Sequence, residues 1–203
     1  MKKPEIVKIF DSDRDGKANL VGCNPGWNCD KIATHHLKAY GLNKTVQHMQ
    51  GEYNVLVGDA VARYKNGQPV FLYAWYPNTA TVQMLPGKDL VWLEVPYTDL
   101  PMEGNFNTEI KGVVGCAAKT DLCNLGWTAT QYFIAANKDW LSDNPAARKL
   151  FELVKMNLGD RVEQNMKMKN GEDSKKDIMN HARQWIRKNQ SKFDSWIKEA
   201  SSM

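Results

Sequence analysis

The sequence predicts an α/β fold, a mostly parallel sheet flanked by helices, on three observations. Residues 69–77 (Pro69-Val70-Phe71-Leu72-Tyr73-Ala74-Trp75-Tyr76-Pro77) form a continuous apolar run closed by proline, which is how a strand buried on both faces reads. Two stretches of helical spacing, residues 30–40 and 52–65, enclose a short strand-like segment at residues 46–49. The last third of the chain is dominated by amphipathic helical patterns. At 203 residues the chain suits one large domain or two small ones, and 42% hydrophobic residues with seven tryptophans can fill a core.

Taken in order, residues 30–40 bury Ile32, Ala33, His36, Leu37 and Tyr40 at helical spacing, and Gly41 supplies the C-terminal cap. His35 and His36 are adjacent, so they point to different faces and cannot chelate one metal as an i, i+4 pair would. Residues 52–65 form the second helix, with Tyr53, Leu56, Val57, Ala60 and Tyr64 inward and Gly67 ending it. Trp75 falls at the carboxyl end of the apolar strand, where open α/β sheets bind ligands. Residues 90–95 read as a further strand, with Pro96 and Pro101 marking its exit. From 98 to 127 the pattern breaks into a loop holding Cys116 and Cys123, and a loop of that length is functional or a domain crossing. Residues 132–136 read as a strand, and Asn144-Pro145 opens a helix to residue 156 with Leu150, Phe151 and Val154 inside. Two more helices carry Ile178, Ala182, Trp185 and Ile186, then Phe193, Trp196 and Ile197, on core-facing sides.

The net charge of +4 is spread without long blocks, so there is no nucleic-acid stripe. No apolar run approaches the roughly 20 residues of a membrane span. Met1-Lys2-Lys3 resembles the start of a signal peptide only until Pro4-Glu5, where the apolar stretch should begin. The four cysteines fall as two close pairs, neither of them C-x-x-C, which argues against a zinc ribbon or a thioredoxin motif. Two local disulfides, Cys23 with Cys29 and Cys116 with Cys123, imply an oxidising compartment; the other reading is four free thiols.

Two stretches carry chemistry. Asp11, Asp13 and Asp15 followed by Gly16 match the first half of a calcium loop, with Lys17 giving its backbone carbonyl at the seventh position. The twelfth position is Gly22 rather than Glu; the ion would be structural, and the bland reading is an Asp-rich turn. Cys23-Asn24-Pro25-Gly26-Trp27-Asn28-Cys29-Asp30 puts a tryptophan at the tip of a Pro-Gly turn with a cysteine on each side. The loop ends on the N–H groups of a helix start, which favours anions. A rigid indole beside an anion-binding helix start suits a molecule carrying both an onium cation and a carboxylate. Trp27 and Trp75 would stack on the cation, and the N–H groups of Asn28 and Cys29 would meet the carboxylate.

These residues carry a resemblance. The stretches Phe10–Ala18 with its Asp-x-Asp-x-Asp-Gly-Lys run, Gly22-Cys23-Asn24-Pro25-Gly26-Trp27, His48-x-Gln50-Gly51-x-Tyr53, Ala62-Arg63-Tyr64-Lys65 and Pro86-Gly87-Lys88-Asp89 match a known pattern. So do Val91-Trp92-Leu93, Ala136-Asn137-Lys138, Asn144-Pro145-Ala146-Ala147 and Lys149-Leu150-Phe151-Glu152. The chain resembles the ProX-type periplasmic glycine betaine/proline betaine-binding proteins of ABC transporters almost end to end. The resemblance implies a type II periplasmic binding protein-like lobe, with residues 1–110 as lobe two, 111–127 as a crossing segment and 128–203 as a return segment with helices of lobe one. It implies a tryptophan box, of which Trp27 and Trp75 match two walls, Asn28 and Cys29 match the main-chain donors, and Cys23 to Cys29 matches the loop disulfide. Trp127 is a further candidate wall.

Two features depart from the family. Gly usually follows the first tryptophan, where this chain has Asn28, a residue that tolerates positive φ. The family's chain also begins about a hundred residues earlier, an ordinary domain's length, with another box tryptophan and a carboxylate-binding histidine. The function so implied is extracytoplasmic, periplasmic solute binding. The ligand would be a quaternary ammonium osmolyte delivered to the permease and ATPase of an ABC importer, with no cofactor required; the Asp-rich turn offers a place for a structural Ca2+. An unfilled lobe-one face would favour a homodimer. Two other readings stand beside this one: a truncated, calcium-stabilised module with little ligand binding, and a cysteine hydrolase using Cys29 with His35 or His36, which needs Cys29 free.

Overall fold

The sheet is centred on β1 (Ala18–Val21), whose four residues are all buried. The computed structural model describes residues 1–129 and 132–202, which divide into two compact units, Met1–Ala129 and Thr130–Met203. In the first unit β1 pairs in parallel with β2 (Val46–Met49) on one side and β3 (Phe71–Leu72) on the other, giving the order β2-β1-β3. α2 (Asn28–Ala39) connects β1 to β2, and α3 (Tyr53–Lys65) connects β2 to β3. α1 (Pro4–Phe10) precedes them, with proline at its first turn, where the missing N–H leaves no helical bond unmade. Neither α1 nor β1 is predicted from the sequence.

β1 occupies positions that the calcium-loop reading assigns to the second half of the loop. The chain enters extended structure directly after Lys17, because Ala18, Leu20 and Val21 have a core to enter on both faces. Asn19 is buried within the strand and is fully used: it accepts from Ser12 N–H and Oγ at 2.6 and 2.8 Å and donates to Gln47 at 2.7 Å. It thereby ties the Asp-rich turn to β2.

The helix faces follow the sequence closely. Ile32, Ala33, His36, Leu37 and Tyr40 are all buried. Gly41, at φ +63°, closes the helix as predicted, with Leu42 N–H returning to the Leu37 carbonyl at 2.7 Å. On α3, Tyr53, Val57 and Ala60 are buried while Leu56 and Tyr64 are half-buried. Glu52 is its N-cap, accepting the Val55 N–H at 2.8 Å.

Three predicted strands differ. The run at residues 69–77 contributes only β3 to the ladder, extended by Tyr73 N–H to the Val21 carbonyl at 2.8 Å, and its side chains are half-buried. It stands at the edge of the described sheet; the doubly buried strand is β1. Residues 90–95 make isolated bridges instead of a ladder: Trp92 pairs with Cys116, and Val95 N–H reaches the Asn124 carbonyl at 2.9 Å. The partner of this segment is the antiparallel hairpin β4 (Glu109–Lys111) and β5 (Leu122–Asn124). Residues 111–127, read as a crossing segment, fall within the first unit, held there by these bonds, while the Cys116–Cys123 disulfide closes the hairpin on itself. Residues 132–136 are not a strand: Tyr132, Phe133 and Ile134 are exposed, and Arg161 lies 4.3 Å over the Tyr132 ring.

The second unit contains α4 (Lys138–Asp143), α5 (Pro145–Leu153), α6 (Leu158–Lys169), α7 (Lys175–Lys188) and α8 (Gln190–Ser201). α5 packs on α8, with Lys149 and Glu199 paired at 2.9 Å. Trp185, half-buried, and Trp196, buried, stack at 6.1 Å with Lys192 over both rings. Ile178, Ala182 and Ile197, predicted on the same faces, are exposed. Helical spacing marks a stripe, but a stripe is buried only where a neighbour covers it.

Candidate ligand-binding site

All three parallel strands run the same way, so the loops leaving their carboxyl ends lie together at one edge of the sheet. With the order β2-β1-β3, β1 lies between two strands that follow it in sequence, so the strand order reverses beside it. The carboxyl ends at such a reversal are the usual binding position in open α/β sheets. The loop after β1 carries Trp27, and the segment after β3 carries Trp75.

The β1–α2 loop is fastened from several directions. Cys23 and Cys29 form a disulfide with both residues buried, their Cα atoms 6.4 Å apart. Gly51 N–H donates to the Cys23 carbonyl at 3.2 Å. Asn24 Oδ1 accepts the Tyr53 N–H at 3.0 Å. Asp30, in the first turn of α2, turns back on the Pro-Gly corner: its Oδ2 accepts the Gly26 N–H at 2.8 Å and its Oδ1 accepts from the Gln50 side chain. The Gly26 N–H, more than any other contact, holds the Asp30 carboxyl below its ordinary pKa.

Held in this way, Trp27 is the N-cap residue of α2 and is 50% exposed. Among the described residues no aromatic ring stacks on it. Its own N–H is taken by the Asn24 carbonyl at 3.2 Å. The next two N–H groups, of Asn28 and Cys29, meet no acceptor among the described residues, and the N-cap side chain supplies none. Orphan N–H groups at a helix start carry the positive end of the helix dipole. Asn28 is already helical and has no need of positive φ, so the replacement of Gly by Asn leaves the donor geometry available.

Trp75 is half-buried and stacks on Tyr53 at 4.9 Å with 27° between planes. Tyr73 lies between Trp75, at 5.9 Å, and Trp127, at 4.8 Å. Trp127 in turn rests on the edge of His36 at 5.5 Å. The structure therefore gathers Trp75 and Trp127 into one aromatic cluster and leaves Trp27 exposed on its own loop. Tyr53 and Tyr73 are the members that sequence reasoning missed. Tyr53 was visible as an inward helix residue and as the end of a family-matching stretch, with no role in the site, and Tyr73 was hidden inside an apolar run.

Two histidines, His36 buried and His48 half-buried, belong to these elements. His48 donates to or accepts from Thr34 Oγ1 at 3.1 Å and stands 3.8 Å from Asp30. A Cβ on Gly22 would meet its Nε2 at 2.1 Å, so only glycine fits where the loop leaves β1. Burial pushes both His36 and His48 below the ordinary histidine pKa. A lowered pKa in the fold means that the unfolded chain takes the proton first as pH falls. The stabilising difference is complete above about 6.5 and is lost as pH falls through the folded values. Melting temperature is expected to drop between pH 7.5 and 5 (roughly the histidine range), with a flatter slope in His48→Gln. A slope unchanged by His36→Gln and His48→Gln together would contradict this.

The acidic cluster also forms. Oxygens of Asp11, Asp13 and Asp15 lie within 4.8 Å of one another. Asp11 accepts the Asp15 and Gly16 N–H groups at 3.1 and 3.0 Å, and Asp15 accepts the Lys17 N–H at 2.9 Å. One oxygen of Asp13 receives Asn19 at 3.3 Å.

Comparison with known proteins decides the family. The model of the substrate binding domain of the ABC-type glycine betaine transport system matches residues 1–188. The chain belongs to this family. It is 43% identical over 200 residues to the glycine betaine-binding periplasmic protein OusX of Dickeya dadantii. It is 42% and 41% identical to the glycine betaine/proline betaine-binding periplasmic proteins of Escherichia coli and Salmonella typhimurium. In each case the match covers 98% of this chain and 58% of the relative, so the chain spans somewhat over half their length. The α/β architecture is that of this substrate-binding domain, a type II periplasmic binding fold. The family is one of substrate-binding domains of a transport system, not of enzymes. The hydrolase reading fails on chemistry as well, since Cys29 is bonded to Cys23 and has no thiolate to offer.

Proposed function

We propose that this substrate-binding domain holds glycine betaine or a related quaternary ammonium osmolyte outside the cytoplasm, for delivery to the permease and ATPase of an ABC importer. The observation that carries the reading is the β1–α2 loop. It sets a half-exposed indole beside two N–H groups that meet no acceptor among the described residues, at the sheet edge where Trp75 also emerges. A quaternary ammonium cannot donate hydrogen bonds, so aromatic faces are the available means of holding it. Trp27 and Trp75 supply those faces, with Trp127 as a further wall, and the N–H groups of Asn28 and Cys29 receive the carboxylate. The relatives, glycine betaine- and proline betaine-binding periplasmic proteins, support the same ligand class.

The expected affinity follows from the parts. Two walls at ~2 kcal/mol each and two charge-assisted bonds at ~1.5–3 kcal/mol each give roughly 7–10 kcal/mol. Association costs ~4 kcal/mol or more, which leaves a dissociation constant in the millimolar range, where −4.1 kcal/mol is about 1 mM. Calorimetry with glycine betaine is expected to give that weak, saturable binding. A micromolar constant would show that the site holds contacts beyond these four.

We further propose a structural calcium ion at Asp11, Asp13 and Asp15, with the Lys17 carbonyl. The support is the convergence of the three carboxylates. An ion binding only the fold stabilises by about 2.7 kcal/mol at a hundred times its Kd. Millimolar calcium is expected to raise the melting temperature several degrees over EDTA, and Asp13→Asn with Asp15→Asn to abolish the response. An equal melt in calcium and EDTA would refute the ion. A response to calcium with none to betaine would instead favour a structural module.

A further inference from the structure

Tyr53 touches both halves of the proposed site. It is the first residue of α3, so its N–H is one of the donors a helix leaves unmade. That donor is met by Asn24 Oδ1, at 3.0 Å, from within the Trp27 loop. Its ring stacks at 4.9 Å on Trp75. Its hydroxyl accepts from the Asn78 side chain at 2.6 Å and lies 3.4 Å from the Tyr73 carbonyl. Asn78 belongs to a buried turn closed by Thr81, whose hydroxyl also holds the Trp75 carbonyl at 3.1 Å. Tyr53 is 3% exposed and makes no contact with solvent chemistry of its own.

A residue whose backbone grips one loop while its ring and hydroxyl grip the segment after the neighbouring strand cannot let the two move independently. We propose that Tyr53 is a positioning residue: it fixes the Trp75 wall relative to the Trp27 loop, and so sets the gap into which the onium head must fit. This rests on the proposed betaine site for its functional consequence, but the coupling itself is a property of the ligand-free protein. The arrangement also explains why Asn rather than another turn residue suits position 24. Its side-chain carbonyl caps α3, while its main-chain carbonyl receives the Trp27 N–H at 3.2 Å.

The test has a ligand-free arm and a ligand arm. With 5-fluorotryptophan incorporated and the resonances assigned by single Trp→Phe variants, Asn24→Ala is expected to shift or broaden both the Trp27 and Trp75 signals. A change confined to Trp27 would overturn the coupling whether or not betaine binds. In betaine titrations Tyr53→Leu is expected to weaken binding at least tenfold (about 1.4 kcal/mol). Tyr53→Phe, which keeps the stack and the N–H, should stay within about threefold, roughly 0.7 kcal/mol. Val7→Ala, a core truncation on α1, should leave affinity unchanged below its melting temperature. Equal affinity in Tyr53→Leu and the parent, or an equal loss in Val7→Ala, would overturn the positioning role. Absence of binding in the parent would count against the betaine reading alone, leaving the fluorine measurement to decide this one.

Discussion

Trp27→Ala is expected to abolish measurable betaine binding while leaving the fold's stability almost untouched. The side chain is half-exposed on a loop tip, and no ring packs on it among the described residues. Surface substitutions of this kind change stability by about 0.5 kcal/mol or less. As a wall of the onium site it would contribute up to ~2 kcal/mol, about thirtyfold in affinity, and a millimolar site weakened thirtyfold lies beyond ordinary titration. Trp75→Ala should behave differently. That ring is stacked on Tyr53 and packed against the core cluster of Cys23, Cys29, Tyr53 and Val57. Removing it should cost about 2–4 kcal/mol of stability as well as the binding. The pair separates a residue kept for its ligand from one that also supports the fold. Thermal melts and betaine titrations on both variants check it; an equal stability loss in the two would mean that Trp27 is a packing residue.

The second large effect belongs to the Cys23–Cys29 disulfide, which closes a loop with a sequence separation of 6. Chain-entropy arguments assign a loop this short roughly 2–2.5 kcal/mol. Cys23→Ala with Cys29→Ala is therefore expected to lower the melting temperature of the first unit by roughly 5–10 °C. The functional effect should be out of proportion. With the staple gone, the Asn28 and Cys29 N–H groups and the Trp27 ring lose a shared anchor, leaving Asp30, Asn24 and the Cys23 carbonyl to hold the turn. Betaine binding is expected to disappear at temperatures where the variant is still folded. Removal of Cys116 and Cys123, which fasten the β4–β5 hairpin, should destabilise without the same loss. Binding that survives in the folded Cys23/Cys29 variant would show that the hydrogen bonds alone pre-organise the loop.

The sequence spoke most clearly where structure is local. The buried face of α2, from Ile32 to Tyr40, and its Gly41 cap follow from helical periodicity and the conformational freedom of glycine, and both stand in the fold. The β1–α2 loop was legible for the same reason: Pro-Gly, flanking cysteines and a helix start all lie within eight residues. Strands were harder, because a strand is defined by a partner remote in sequence. β1 was hidden beneath an acidic turn that resembles a calcium loop, and its single polar residue, Asn19, disguised a fully buried strand. The apolar runs at 69–77, 90–95 and 132–136 promised three strands and yielded a short edge strand, two isolated bridges and no strand. Hydrophobicity records that a segment has apolar side chains; it does not record what will cover them. The aromatic contacts joining Tyr53, Tyr73, Trp75 and Trp127 are likewise tertiary, linking residues from α3, the end of β3 and the end of the hairpin.

The most direct measurement is intrinsic tryptophan fluorescence titrated with glycine betaine, in the parent chain and in Trp27→Ala and Trp75→Ala. An onium site between these two indoles requires a change that saturates in the millimolar range and vanishes in both variants. No change up to tens of millimolar (well above the estimated constant), or a saturable change that survives both substitutions, would contradict it.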